Sequence, residues 1–273
     1  MAGPCQDRRS RSLAPLSKMC DDQEVTNSTE RTIDPPRDVH PPSVSRTARE
    51  RARAEITAEI LAAARGYLAT DGAPALSLRA IARDLGLASS ALYRYFGSRD
   101  ELLTRLIVDA YDSLGAAAEA SEAAVDRDDL PGRFAATCRA VRTWALANPN
   151  EYALIYGSPV PGYVAPVDTV GPAIRVSVLL MQILIDAAGQ GRVPAEEPRE
   201  AKAVALEPIL SQLPPGFPAT LVQRGLMAWT GLFGVVSFEL YGQLHQVVAE
   251  DPADRDAFFA ECISRWITFV GLT

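Results

Sequence analysis

Residues 77–101 read SLRAIARDLGLASSALYRYFGSRDE, and in them the signals that start and stop helices recur too fast for one long helix. Ser77 can cap a short helix, LRAIARDL, on which Leu78, Ile81, Ala82 and Leu85 share a face, and Gly86 stops it. A third helix begins near Ser89 and ends near Phe96, ahead of Gly97. Ser98 and Glu101 have the spacing of a capping box and open a fourth, DELLTRLIVDAYDSLGAAAEA. Upstream, Thr47 and Glu50 have the same spacing, and Ile56, Ile60, Leu61, Ala64 and Leu68 form an apolar stripe that ends near Gly72. Three helices therefore precede one long one.

The remainder continues at helical spacing. Beyond the charged break VDRDD, the pattern predicts helices over Pro131–Asn148, Pro149–Tyr156, Val170–Ala188, Glu197–Gln212, Ala219–Val248 and Ala253–Leu272, with proline at most boundaries. Gly157–Asp168, with three prolines and two glycines, reads as an excursion between helices. Strand-like alternation is scarce and alanine abundant, so the chain is expected to be all-α: a three-helix N-terminal domain (46–110) joined by a long helix to a C-terminal helical bundle (111–273). The apolar run Val176–Ala188 is broken by Ser177, Gln182 and Asp186 and falls short of the ~20 residues that span a bilayer, so it predicts a buried helix and no membrane partner. Residues 1–45, rich in Ser, Thr, Pro and charge, read as a disordered tail. A functional arm, an inert tail and an overlong start with Met19 as the initiator all stay open. No apolar stretch follows the first arginines, so a cytoplasmic location is expected.

Several chemistries find no residues to perform them. Cys5, Cys20, Cys138 and Cys262 lack metal-ligand spacing, and the only histidines are His40 and His245, the latter expected near the end of a long helix. There is no paired nucleophile and base, no metal set and no Gly-rich phosphate loop, so neither a cofactor nor an enzymatic activity is expected. Charge is uneven along the chain. Residues 1–45 hold six basic and seven acidic side chains, 46–111 ten and eight, and 112–273 eleven and nineteen. One end is thus suited to a polyanion.

The second and third helices meet the requirements of a helix-turn-helix: a shared core, a glycine at the turn and an outward face on the second member. With Leu92 in the core, Phe96 lies about 40° away, Arg94 and Ser90 about 160–200° away, and Tyr93 and Ala91 about 100° to either side. Arginine can pair bidentately with guanine, serine can donate to a base or phosphate, and tyrosine hydroxyls anchor phosphates. Taken singly, each tyrosine is better explained by packing and each arginine by solvation. Their coincidence on one face, with Arg79 and Arg99 in the first turns of the flanking helices, favours a phosphate-rich partner. Cations at helix N-termini oppose the helix dipole and gain from nearby anions.

SLRAIARDLGLASSALYRYFGSRDELL and its preceding helix resemble the DNA-binding domain of TetR-family transcriptional regulators over residues 46–110. The resemblance implies that Ser89, Ser90, Ala91 and Arg94 read bases in double-stranded operator DNA, that Tyr93 and Tyr95 touch phosphates or base edges, and that Arg79 and Arg99 contact DNA from the neighbouring helices. Tyr95 stands where many relatives have histidine.

Residues 130–273 resemble, more loosely, an actinobacterial-type ligand domain of the same family, through ANPNEYALIYGSPVPGY and AWTGLFGVVSFELYGQL. Leu232, Phe233 and Gly234 stand where relatives often have a His-Gly pair. The family implies a homodimer built on the last two long helices and a small-molecule effector. In accord, Leu226, Trp229, Leu232, Phe233, Val236 and Leu240, with Phe258, Phe259, Cys262, Trp266, Phe269 and Val270, offer more apolar surface than one core face needs. Trp144, Tyr152, Tyr156, Met181, Trp229 and Phe233 are candidates to line an effector cavity, although residues of these types at helical spacing equally form plain core. The resulting expectation is a homodimeric, ligand-released repressor; the alternative is a helical small-molecule binder or enzyme that keeps a vestigial helix-turn-helix.

Overall fold

The computed structural model describes residues 47–192 and 206–272, so the N-terminal tail expected over 1–45 lies outside it. Within the described residues there are ten α-helices and no strand. They fall into two compact units, one holding 47–192 and 224–272 and the other 206–223.

The small N-terminal core is built from α1 (Ala48–Asp71), α2 (Leu78–Asp84), α3 (Ser89–Leu92) and the first turns of α4 (Arg99–Ala123). The expected caps form at each start. Thr47 and Glu50 make a full capping box on α1, Ser77 accepts from the Ala80 amide, and Ser98 accepts from the Glu101 amide at 3.0 Å. The Glu101 carboxylate departs from the expected box: it accepts from the Gly97 amide at 2.7 Å rather than from Ser98. Ile60, Ile81, Leu92, Leu102 and Leu103 are fully enclosed in this core.

Arg99, expected to contact phosphate from the first turn of α4, is part-buried, its side chain 31% exposed. Its guanidinium donates to the carbonyls of Leu76 at 3.1 Å, Ala73 at 2.9 Å and Pro74 at 3.4 Å, and so ties the loop before α2 to the start of α4. A single 3-10 turn, Ala73–Ala75, bonds only the Ala73 carbonyl internally, from the Leu76 amide at 3.3 Å, and a fork with several donors reaches all three.

α4 continues into a bundle with α5 (Leu130–Ala147), α6 (Pro149–Tyr156) and α7 (Val170–Gly189). Leu114 and Ala118 of α4, Val141 and Cys138 of α5 and Ile183 and Leu184 of α7 are buried between them. Asp129 caps α5 through the Gly132 amide at 2.9 Å. Arg133, 1% exposed, joins three segments: it donates to Glu122 of α4 at 2.5 Å, to Asp186 of α7 at 2.8 Å and to the Arg127 carbonyl at 3.1 Å. Arg175 of α7 grips Glu119 at 2.6 and 2.8 Å and Asp112 at 2.8 Å, holding the Glu119 carboxyl below its ordinary pKa. Between those acids α4 has Gly115, where a Cβ would lie 2.6 Å from the Arg175 Nε. By length and composition α7 and α9 could each cross a bilayer, yet Arg175 and Asp186 of α7 are engaged sideways with α4 and α5.

The predicted helix over Glu197–Gln212 falls mainly outside the described residues, of which α8 (Glu207–Leu210) is its end. The helix expected to reach Val248 stops earlier: α9 spans Ala219–Leu240, and Gly242, at φ 80°, turns the chain out of it. His245 consequently sits in a turn rather than on the helix and pairs with Glu250. α10 (Pro252–Val270) follows, capped by Asp251. Arg142 of α5 binds Glu239 of α9 through two bonds of 2.6 and 2.7 Å and Asp256 of α10 at 2.6 Å. Gly231 admits the Trp266 indole, whose nitrogen would lie 3.0 Å from a Cβ there.

Stability measurements at three positions check these contacts. Leu92→Ala leaves a cavity in the small core and is expected to cost ~2–5 kcal/mol, whereas Arg99→Ala removes the side-chain donor from the Leu76 and Pro74 carbonyls and is expected to cost ~1–3 kcal/mol, both read by chemical denaturation. Arg133→Ala leaves the buried Glu122 without its 2.5 Å partner, while Asp186 keeps Arg127 at 2.7 Å; the change is expected to cost ~3–5 kcal/mol, with Arg133→Met losing less because it preserves packing.

Candidate nucleic-acid interface

The turn between α2 and α3 is closed by backbone geometry. The Leu87 amide reaches back to the Ala82 carbonyl at 2.8 Å, and the Gly86 amide to Arg83 at 3.1 Å, which is a Schellman ending with Gly86 in the left-handed region at φ 64°. Any residue with a Cβ would be strained there. This ending sets the angle at which α3 leaves α2.

α3 is shorter than its sequence pattern implies. Only Ser89–Leu92 are α-helical, and the chain then continues in tight turns, with the Tyr93 amide bonded to Ser89, Arg94 to Ala91 and Phe96 to Leu92. The helical direction is nevertheless kept as far as Phe96. Leu92 is fully buried and Phe96 5% exposed, whereas Ser89, Ser90 and Arg94 lie on the exposed side, as the helical wheel places them. Tyr93 is 46% exposed, and Ala91 and Tyr95 are half-buried.

Arg79, at the start of α2, is exposed. Among the described residues neither it nor Arg94 has an acidic partner, in contrast to Arg105, Arg133, Arg142 and Arg175. Arg99 stands apart from this group for the reason given above.

Two further arginines belong to the same surface and were not singled out from sequence. Arg49 and Arg53 lie one turn apart on α1 and, with Ala52, Ile56, Arg94 and Tyr95, line a half-open cleft of about 280 Å³. Arg53 donates to the Arg94 carbonyl at 3.2 Å and its guanidinium lies 5.0 Å from the Tyr95 ring centre. The i, i+4 spacing in TARERARAE was the available signal. What it faces depends on a contact 41 residues away.

The candidate effector residues divide. Tyr156 lies 5.0 Å from Tyr152 and 4.4 Å from Phe233, and Phe233 is 5.8 Å from Trp229, so four of the six form one chain of rings. The Tyr152 hydroxyl meets Ser237 at 2.9 Å and donates to the Phe233 carbonyl at 3.2 Å. Burial pushes the Tyr152 pKa up to about 12 and raises that of Tyr156 as well. Trp144 instead turns to α4, donating to Ser113 at 2.9 Å, and Met181 is half-buried on α7.

Comparison with known proteins agrees with this geometry. Residues 60–106 match the model for bacterial regulatory proteins of the tetR family, and 134–265 match a tetracyclin repressor-like C-terminal domain. HTH-type transcriptional regulators of Mycobacterium bovis and Mycobacterium tuberculosis are each 42% identical over 212 residues, covering 75% of this chain and 88% of theirs. The crystal structure of a regulatory protein, SCO4313, superposes with a TM-score of 0.67 at 34% identity, covering 81% of this chain and all of that one. The TetR-family regulator PfmR of Thermus thermophilus shares the fold at a TM-score of 0.51 and 20% identity, over 78% of this chain and 98% of its own. With an exposed turn of serine, tyrosine and arginine projecting from a two-helix frame, and with relatives of this identity and coverage, the chain belongs to the TetR family of transcriptional regulators.

Proposed function

We propose that this regulator is a cytoplasmic homodimeric repressor that reads a palindromic operator through α3 and leaves it when a small-molecule effector binds the C-terminal bundle. The observation that carries the reading is the outward set of Ser89, Ser90, Tyr93 and Arg94 on a framed turn, with no acidic partner for Arg94 among the described residues. A guanidinium with no internal acid is free to pair with guanine or phosphate. Residues 46–110 are the DNA-binding part on this reading, 111–273 the effector and dimer part, and no catalytic role is assigned.

Dimerisation is supported by what α9 and α10 leave uncovered. Leu232, Val236, Phe259 and Val270 are buried within the chain, but Met227 and Phe238 remain 55% and 54% exposed and Phe269 39%. Met227 and Phe238, eleven residues apart, lie within about 20° of one another around the helix. Gly234, between them, has open space beside it. A second copy would cover this stripe.

α6 offers a route from effector to DNA. Tyr156 faces the Phe233 ring of α9 and the Tyr152 hydroxyl bonds Phe233 and Ser237, while Leu154 and Ile155 pack against the small N-terminal core, and Glu151 lies 3.8 Å from Arg65 of α1. The following loop adds a bond between Tyr163 and Thr104 of α4 at 2.9 Å. A shift of this two-turn helix would therefore reach both sides.

Selection from random DNA should recover a palindrome with half-sites about one helical turn or somewhat more apart, and sedimentation should show a dimer at micromolar concentration. A monomer, or a single half-site, would contradict the proposal. Arg94→Ala is expected to cost ~1–3 kcal/mol at the preferred site and relax one base pair per half-site. Tyr156→Ala lies far from DNA but on the α6 route, and is expected to alter operator affinity by ~0.5–2 kcal/mol; an unchanged titration would remove α6 as the route.

A further inference from the structure

We propose that Arg53 of α1 is a positioning residue that sets the aim of α3 and so determines base preference without reading a base. The inference rests on the DNA-reading role proposed for α3.

α3 has four α-helical residues, too few to hold a direction by its own hydrogen bonds. Its entry is fixed by the Gly86 turn and its middle by Leu92, but beyond Leu92 the chain runs through turns toward Gly97. At that end the Arg94 carbonyl has no following helical turn to bond it. The Arg53 Nη2 does so from 41 residues away, at 3.2 Å. The same guanidinium lies over the ring of Tyr95, 5.0 Å from its centre. One group thus bonds the backbone of Arg94 and lies over the next side chain.

Arg94 itself is left exposed and has no acidic partner among the described residues. Its side chain can reach outward from a Cα whose position Arg53 restrains. Arginine alone suits this task, because its fork donates in plane while its face stacks; a lysine ammonium carries the same charge but cannot do both. Arg53 is exposed, so its bonds add little to the stability of the fold and their effect is on geometry.

The competing role is a plain phosphate contact from the cleft shared with Arg49 and Arg94. The two roles differ in what a charge-conserving change does. With the full-length protein at fixed salt, Arg53→Lys is expected to lower discrimination about tenfold at the same base pair that Arg94→Ala relaxes, with an unchanged thermal midpoint. In the Arg53→Lys, Arg94→Ala double variant, discrimination at that position should fall no further than in Arg94→Ala alone. Arg53→Ala should behave like Arg53→Lys in motif. If Arg53→Lys kept the wild-type motif, and Arg53→Ala weakened all sequences equally with a salt slope shallower by about one per subunit, Arg53 would be a backbone contact and the proposal would fall. A wild-type protein that enriches no motif would overturn the base-reading role of α3 itself, a different failure from a motif that survives at Arg53.

Discussion

Leu102, Leu103, Leu106 and Ile107 close the small N-terminal core, and Leu114 and Ala118, on later turns of the same helix, are buried against α5 and α7. α4 therefore belongs to two cores at once. Over its 25 residues it runs about 37 Å, and no glycine or proline kinks it before Gly115, where Arg175 packs instead of a side chain. Burial along both ends makes α4 a stiff member: neither half can tilt without repacking the other. α6 and its loop brace the junction through Tyr163 on Thr104 and the Tyr111 hydroxyl on the Ile155 carbonyl.

The uneven charge of the chain acquires a structural meaning from its pairings. In the acidic half, Asp112, Glu119, Glu122, Asp186, Glu239 and Asp256 are taken up by Arg133, Arg142 and Arg175. These carboxylates fasten helices to one another, Glu122 and Glu239 with largely buried side chains and Asp112, Glu119 and Asp256 from the surface. Three arginines, each reaching two acids, fasten α4, α5, α7, α9 and α10. At the other end Arg49, Arg53, Arg79 and Arg94 have no such acid among the described residues. The modest basic excess of that end thus understates how much positive charge is free to act outside the molecule.

Where the signal was local, the sequence was legible. Capping residues Thr47, Ser77 and Ser98, the stop at Gly86 and the prolines opening α5, α6 and α10 act within a few residues of themselves, and the helices begin and end beside them. The buried and exposed sides of α3 followed from the position of Leu92 alone. Three features escaped for a common reason, namely that the partner is distant in sequence. Arg99 looked like a surface cation because nothing in its neighbourhood shows the carbonyls of Leu76 and Ala73. Arg53 looked like part of a solvated helix start. Trp144 resembled the other aromatic residues in type, yet a bond to Ser113 turns it to α4. α9 is shorter than its pattern predicts because Gln243–Val248 continues the apolar spacing, whereas left-handed Gly242 and Gln246 break the ladder.

The brevity of α3 has a consequence for how such a protein could acquire a new target. A long recognition helix keeps its own axis, so changing what it reads means changing the residues that touch bases. A single turn borrows its axis from its surroundings: the Schellman ending at Gly86 on one side and the α1 surface on the other. On the roles proposed for α3 and Arg53, its address would be written partly in residues that never meet a nucleotide, and retargeting could proceed by rotating an unchanged set of contacts over the groove as well as by replacing them.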